Sequence, residues 1–89
     1  MIRALIVDDE LHAREEIELL FSGHDDIEVI GSCANAVEAL KIINRKQPDV
    51  VFLDIQMPRI SGIELIGMLD RDDMPHIVFV TAFDEYAVA

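Results

Sequence analysis

Four side chains that could take part in metal or phosphate chemistry directly follow short apolar runs of the sequence. Asp8 and Asp9 follow the first run, Asp54 follows the third and Thr81 follows the fourth. Carboxylates a few ångströms apart repel one another and raise one another's pKa. A Mg²⁺ ion relieves this repulsion, because it takes a few carboxylate oxygens and keeps several waters. If these runs are strands that share one sheet edge, the sequence predicts a divalent-cation site beside a hydroxyl group.

Each acid taken alone is explained as well by a solvated loop, because acidic residues are usually exposed. Three acids and a hydroxyl at the ends of separate strands favour a site instead. The other chemical candidates are weaker. His12, His24 and His76 lack the spacing of metal ligands and accompany no Ser or Cys nucleophile pattern, so we interpret them as solvated side chains. The glycines form neither a Walker loop nor a dinucleotide-binding fingerprint.

The elements that must position these residues alternate along the chain. Apolar runs predict strands at 3–7, 27–33, 50–53 and 77–80. Helical spacing of apolar residues predicts a helix over 11–21 closed by Gly23, a second opened by Asn35, a third opened by Ser61 and the start of a fourth over 84–89. The predicted apolar stripes are Ala13, Ile17, Leu20 and Phe21 in the first helix, Ala36, Ala39, Leu40 and Ile43 in the second, and Gly62, Leu65, Ile66 and Leu69 in the third.

This βαβαβαβ order predicts an α/β fold, with a parallel sheet and helices on both faces. The polar residues that interrupt strand 27–33 favour an edge position for it. The continuous apolar run 50–53 favours a strand covered on both faces. Ligands of such sheets bind beyond the carboxyl ends of the strands, where the strand order reverses. The acids and Thr81 follow those ends.

Composition narrows the classes of function. The 89 residues suffice for one small domain, and a hydrophobic content of 52% excludes a disordered segment. Seven basic and 18 acidic residues give a net charge of −11, which disfavours direct contact with nucleic acid or with a membrane. Cys33 has no intrachain disulfide partner, which fits a reducing compartment. Acids appear too early for a signal peptide, so we expect a cytoplasmic protein.

Three motifs together resemble the receiver domains of two-component response regulators. They are L-I-V-D-D-E at 5–10, D-x-x-M-P-x-x-x-G at 54–62 and V-T-A at 80–82. The resemblance covers residues 1–89. It implies a flavodoxin-like, doubly wound parallel sheet with strand order 2-1-3-4-5.

The resemblance also implies roles for residues of this chain. Asp54 would accept a phosphoryl group from a sensor histidine kinase. Asp9, Asp54 and the Gln56 carbonyl would bind Mg²⁺, and Asp8 would hold a metal-bound water. Thr81, with the Ala82 amide nearby, would bind a phosphoryl oxygen and move strand 77–80 as the switch. Such a domain catalyses only its own phosphoryl transfer and dephosphorylation and is not otherwise an enzyme.

Two residues are predicted to flank the phosphoryl group. Gln56 lies two positions past Asp54, and Phe83 lies two positions past Thr81. We predict that Phe83 restricts the attacking water and lengthens the phosphorylated lifetime. A role of Phe83 in packing alone remains open.

The family pattern continues with a fifth strand that ends in a lysine and then a last helix, and this sequence stops before both. Lys41 and Lys46 lie in the second predicted helix and cannot replace that lysine. We therefore expect residues 1–89 to be a receiver incomplete at its C-terminus, without its effector domain. We also expect weak phosphorylation of this piece alone, and self-association through the exposed edge of strand 77–81.

Residues 82–87, A-F-D-E-Y-A, resemble the matching stretch of regulators that carry a LytTR-type DNA-binding domain. This implies that a separate output domain contacts DNA and regulates transcription. Two other classes of function stay open. One is a phosphohydrolase or phosphotransferase for small molecules, although the second acid usual soon after such a nucleophile is missing after Asp54. The other is an interaction domain that works without phosphate. The presence of Asp8, Asp9, Asp54 and Thr81 argues against this second class.

Overall fold

The computed structural model describes residues 1–54, 62–69 and 74–80. Within these ranges lie seven elements: β1 (Ile2–Val7), α1 (Leu11–Phe21), β2 (Ile27–Cys33), α2 (Ala36–Lys46), β3 (Val50–Asp54), α3 (Gly62–Gly67) and β4 (His76–Val80). The strands form one parallel sheet in the order β2-β1-β3-β4. The predicted α/β fold is confirmed, and so is the edge position of β2. The bounds of β1, β3 and β4 each differ from the prediction by one residue.

The larger part of the core lies between the sheet and the helices α2 and α3. Because successive side chains of a strand point to opposite faces, Leu5, Val7, Val51 and Leu53 all reach this side. They pack with side chains of β2, of the two helices and of the segment just after α3, namely Cys33, Ala36, Ala39, Ile43, Leu65 and Leu69. Leu40 and Ile66 are partly buried against the same cluster. The predicted stripe of the second helix is therefore confirmed.

The helix α1 contributes no fully buried residue to the core. The Phe21 ring packs on Phe52 of β3, with ring centroids 4.9 Å apart and planes tilted by 46°. The prediction that Leu20 belongs to the sheet-facing stripe is wrong, because this side chain is 70% exposed. Consecutive helical residues point about 100° apart, so a helix that directs Phe21 at the sheet turns Leu20 toward solvent. Arg14 lies half-buried on the helix, together with Ala13 and Ile17.

The helix ends follow the local sequence in α2 and depart from the prediction in α1. Asn35 caps α2, since its side-chain oxygen accepts the Glu38 backbone N–H at 2.9 Å. Gln47 ends α2 in the left-handed conformation with φ of 48°. The prediction that Gly23 closes α1 is wrong. Ser22 does so in a right-handed conformation, and its hydroxyl donates to the Leu19 carbonyl at 2.7 Å. Ser61 lies outside the described residues.

Strand register aligns the carboxyl ends of the central strands. Val7 of β1 lies opposite Leu53 of β3, so Asp8 and Asp54 follow at the same level. On the far side of β3, the strand β4 places Val80 opposite Asp54. Val78 and Phe79 of β4 are 42% and 43% exposed. Among the described residues, no helix has the length and apolar character needed to cross a membrane.

Candidate metal site

Three carboxylates meet at the carboxyl edge of the sheet. Asp8 and Asp9 continue from β1, and Asp54 is the last residue of β3. One side-chain oxygen from each of the three lies within 4.8 Å of those of the other two. The parallel register of β1 and β3 produces this meeting, because both strands end at the same level. The structure thus brings the three predicted acids to one place, and their individual roles stay predictions.

Asp8 is the buried member of this acidic cluster. Its side chain is 6% exposed, whereas that of Asp9 is exposed. Burial raises the pKa of the Asp8 carboxyl, and the negative charges of Asp9 and Glu10 raise it further. A hydrogen bond of 2.9 Å, donated by the Glu10 backbone N–H to Asp8 Oδ1, acts against this rise in pKa. A bound cation would favour the charged form of Asp8 in the same way.

The backbone of Asp8 is held from two directions. Its N–H continues the sheet and donates to the Cys33 carbonyl at 3.1 Å. Its carbonyl accepts a hydrogen bond of 2.7 Å from Arg14 Nη1 of α1. Sequence reasoning missed Arg14. The available signal was its position one helical turn after Glu10, but spacing alone does not say whether a charged side chain turns toward the sheet or toward water.

The acidic cluster fits a small divalent cation. Mg²⁺ binds oxygens at 2.0–2.1 Å, so opposite ligands of an octahedron lie roughly 4.2 Å apart. Neighbouring ligands lie roughly 3 Å apart, so three carboxylate oxygens that all lie within 4.8 Å of one another are close enough to share one such ion. Hard carboxylate ligands, with room left for water, are the donor set that Mg²⁺ prefers. Asp9 and Asp54 could bind directly, with Asp8 either direct or through water.

The remaining predicted site residues lie outside the described part of the chain: Gln56, Thr81, Ala82 and Phe83. Their roles stay predictions. The three histidines are exposed, and none of them belongs to the acidic cluster. Lys41 and Lys46 lie in α2, as predicted, and Lys46 Nζ donates to the Ile30 carbonyl at 3.3 Å.

Comparison with known proteins gives consistent matches along the chain. The response regulator receiver domain family matches residues 4–89. The transcriptional regulatory protein BtsR of Salmonella typhi is 62% identical over 88 residues, which cover 99% of this chain and 37% of that protein. A response regulatory protein of Shewanella oneidensis is 66% identical over 88 residues, again 99% of this chain and 37% of the relative. The chain therefore spans little more than a third of these relatives.

A solved structure agrees in fold. The response regulatory domain of protein mrkE from Klebsiella pneumoniae superposes with a TM-score of 0.78 and is 34% identical in sequence. The match covers 98% of this chain and 72% of that one. Similarity of sequence and similarity of fold thus extend over nearly the whole chain.

Proposed function

The chain belongs to the response regulator receiver domain family, and from that premise we propose that it is a phosphorylation-dependent signalling module that accepts a phosphoryl group on Asp54. The observation that carries the proposal is the meeting of Asp8, Asp9 and Asp54 within 4.8 Å at the carboxyl edge of the sheet. A sheet of this order binds its ligands at that edge. An Asp carboxylate can act as the nucleophile that forms an aspartyl phosphate, and two neighbouring carboxylates offer further oxygens to a metal ion.

In the proposed reaction, a carboxylate oxygen of Asp54 attacks the phosphorus of a phosphohistidine on a sensor kinase. The new P–O bond forms as the P–N bond breaks, and the electron pair returns to the imidazole nitrogen of the donor. Attack by water on the same phosphorus later releases phosphate and restores the carboxylate. The chain thereby catalyses its own phosphorylation and dephosphorylation and is otherwise not an enzyme.

Asp8 and Asp9 hold the cation position in this proposal, together with Asp54 and the Gln56 carbonyl. A Mg²⁺ ion bound there supplies neutralisation of the charge that builds on the transferring group. Asp8 is suited to orient a water of the ion, because burial and the Glu10 N–H fix its side chain. Asp9 is suited to direct binding, because it is exposed beside Asp54.

The output of the switch is proposed to be transcription. Thr81 and the Ala82 amide would bind the phosphoryl group, and the accompanying shift of β4 would carry the signal. Phe83 and Gln56 would modulate the phosphorylated lifetime. Support for the output comes from BtsR, which is a transcriptional regulatory protein. We propose that a LytTR-type domain beyond residue 89 contacts DNA, and that the protein works in the cytoplasm, where its lone Cys33 stays reduced.

Phosphorylation can be tested in a protein that extends past residue 89. With Mg²⁺ and acetyl phosphate, we expect the wild type to gain one phosphoryl group by mass spectrometry and Asp54→Asn to gain none. Asp25→Ala is a matched control, because Asp25 is exposed and precedes β2. It therefore lies at the amino ends of the strands, whereas the acidic cluster lies at their carboxyl ends. Labelling that persists in Asp54→Asn would contradict the assignment of the phosphoacceptor.

The competing classes predict different results in the same experiment. A small-molecule phosphohydrolase would turn over phosphate esters catalytically without a lasting label on Asp54. A phosphate-independent interaction domain would show neither labelling nor a response to beryllofluoride, an analogue of the phosphoryl group. NMR spectra of the wild type with Mg²⁺ and beryllofluoride should shift at Asp9 and Asp54 if the receiver proposal is right.

We also propose that the 89-residue chain self-associates through β4. Val78 and Phe79 are partly exposed on this strand, and an exposed apolar strand is a template for further pairing. The net charge of −11 opposes close approach of two copies. The strength of the association therefore depends on the ionic strength.

A further inference from the structure

We infer that Arg14 is a positioning residue for the acidic cluster, which acts by fixing the peptide group between Asp8 and Asp9. Its guanidinium donates to the carbonyl of that peptide at 2.7 Å. A peptide group is planar, so holding its carbonyl oxygen also sets where the Asp9 backbone starts. The inference rests on the proposed function, because it concerns the cation that Asp9 would bind.

The contacts of Asp8 show why this peptide needs an additional anchor. The Asp8 N–H is held by the Cys33 carbonyl, and Oδ1 is held by the Glu10 N–H. The carbonyl lies one residue past the end of β1, and within the described ranges it accepts from a side chain of α1. A charge-assisted bond of this length is roughly twice as strong as a neutral one.

Arg14 is itself held in a closed ring of hydrogen bonds. Its backbone N–H donates to the Glu10 carbonyl at 3.2 Å, in the first turn of α1. Glu10 in turn donates to the Asp8 side chain, and Arg14 returns to the Asp8 carbonyl. The Asp8 N–H donates to the Cys33 carbonyl, so the same residue is also tied to the carboxyl end of β2. The ring thus joins α1 to the turn that carries the acids.

Charge and position make opposite predictions for cation binding. A positive guanidinium that contacts the Asp8 carbonyl repels a Mg²⁺ ion at the acidic cluster, so its removal would tighten binding if charge alone mattered. If Arg14 sets the direction of Asp9, its removal loosens a ligand and weakens binding. Loss of a residue that orients a metal ligand typically lowers metal affinity about 10–100-fold. The sign of the change therefore separates the two effects.

The test is a titration of the full-length protein with MgCl₂, followed by the NMR shifts of the Asp9 and Asp54 amides. We expect Arg14→Gln to bind Mg²⁺ on the order of tenfold more weakly than the wild type. Arg14→Lys, which keeps a charged donor, should restore part of the affinity. Arg45→Gln is the matched control, because it removes the same charge from an exposed helical position and should leave the affinity unchanged.

A second variant separates the positioning of Asp9 from a general loss of stability. If Arg14→Gln does not fold, Arg14→Met keeps the apolar stem without the donor, and the same loss of affinity is expected. Equal or tighter Mg²⁺ binding by the folded variant overturns the positioning role while leaving the proposed function intact. A wild type that binds no Mg²⁺ at the acids overturns the proposed function, and the inference with it.

Discussion

Asp49 and Arg3 exchange two hydrogen bonds at the amino end of the sheet. The Arg3 N–H donates to Asp49 Oδ2 at 2.8 Å, and the Asp49 N–H donates to the Arg3 carbonyl, also at 2.8 Å. This pair starts the register in which β1 and β3 continue to their carboxyl ends. A contact at one end of the strands therefore supports the meeting of Asp8 and Asp54 at the other end.

We predict that Asp49→Ala lowers the free energy of unfolding by about 1 kcal/mol, because one side-chain acceptor of an exposed hydrogen bond is lost. Urea unfolding followed by circular dichroism measures the change. Asp25→Ala removes an acid at an exposed position and should change stability by less than roughly 0.5 kcal/mol. Equal stability of Asp49→Ala and the wild type would show that strand pairing alone sets the register.

Gln47 offers a stabilising substitution. It adopts φ of 48°, a left-handed conformation that costs roughly 1–2 kcal/mol in residues other than glycine. Gln47→Gly removes this cost but makes the unfolded chain more flexible, by about 0.5–1 kcal/mol. We expect a net gain near 0.5–1 kcal/mol in urea unfolding. Gln47→Ala, which keeps the Cβ, should give no gain, and a similar gain in both variants would contradict the explanation.

Cys33 should make stability depend on alkaline pH. Burial, followed by the nearby Glu38 charge, raises the pKa of its thiol from 9.0 to about 11. The unfolded chain therefore loses the thiol proton above pH 9, while the folded chain retains it up to about pH 11. The stabilising contribution is complete below pH 9 and is lost as the pH rises through this window.

The measurement for Cys33 is urea unfolding of the wild type and of Cys33→Ala between pH 7 and pH 10. The wild type should lose about 1 kcal/mol more than the variant over this range, because both share every other titrating group. Parallel loss in the two proteins would contradict the shift. Alkylation by iodoacetamide should also be slow in the folded chain, since the reactive form is the thiolate.

Self-association of the 89-residue chain should increase with salt. Two copies that each carry a charge of −11 repel one another, and at 1 M ionic strength this repulsion is screened within about 3 Å. Light scattering at high protein concentration should therefore report a larger mean mass as NaCl is added. Phe79→Lys places a charge on the exposed strand and should reduce the association, whereas Leu20→Lys, at a solvent-exposed position of α1, should not. A monomer under all these conditions would contradict the proposal.

Local features of the sequence determined much of this structure. Short apolar runs and helical spacing predicted the order of the described elements, and predicted the bounds of the strands within one residue. These periodicities are properties of neighbouring positions, so a local stretch of sequence contains them. Asn35 could be identified as a helix cap, since its partner Glu38 is three residues away. The acids at the ends of strands could be recognised in the same way, because each directly follows an apolar run.

Tertiary structure alone decided which neighbours are buried and what they contact. Asp8 and Asp9 are adjacent and chemically identical, yet one is buried and the other is exposed. Leu20 turned toward solvent while Arg14 reached the Asp8 carbonyl, against the hydrophobic pattern of α1. These outcomes depend on how the helix is rotated against the sheet. Contacts between distant segments set that rotation, and no window of neighbouring residues contains them.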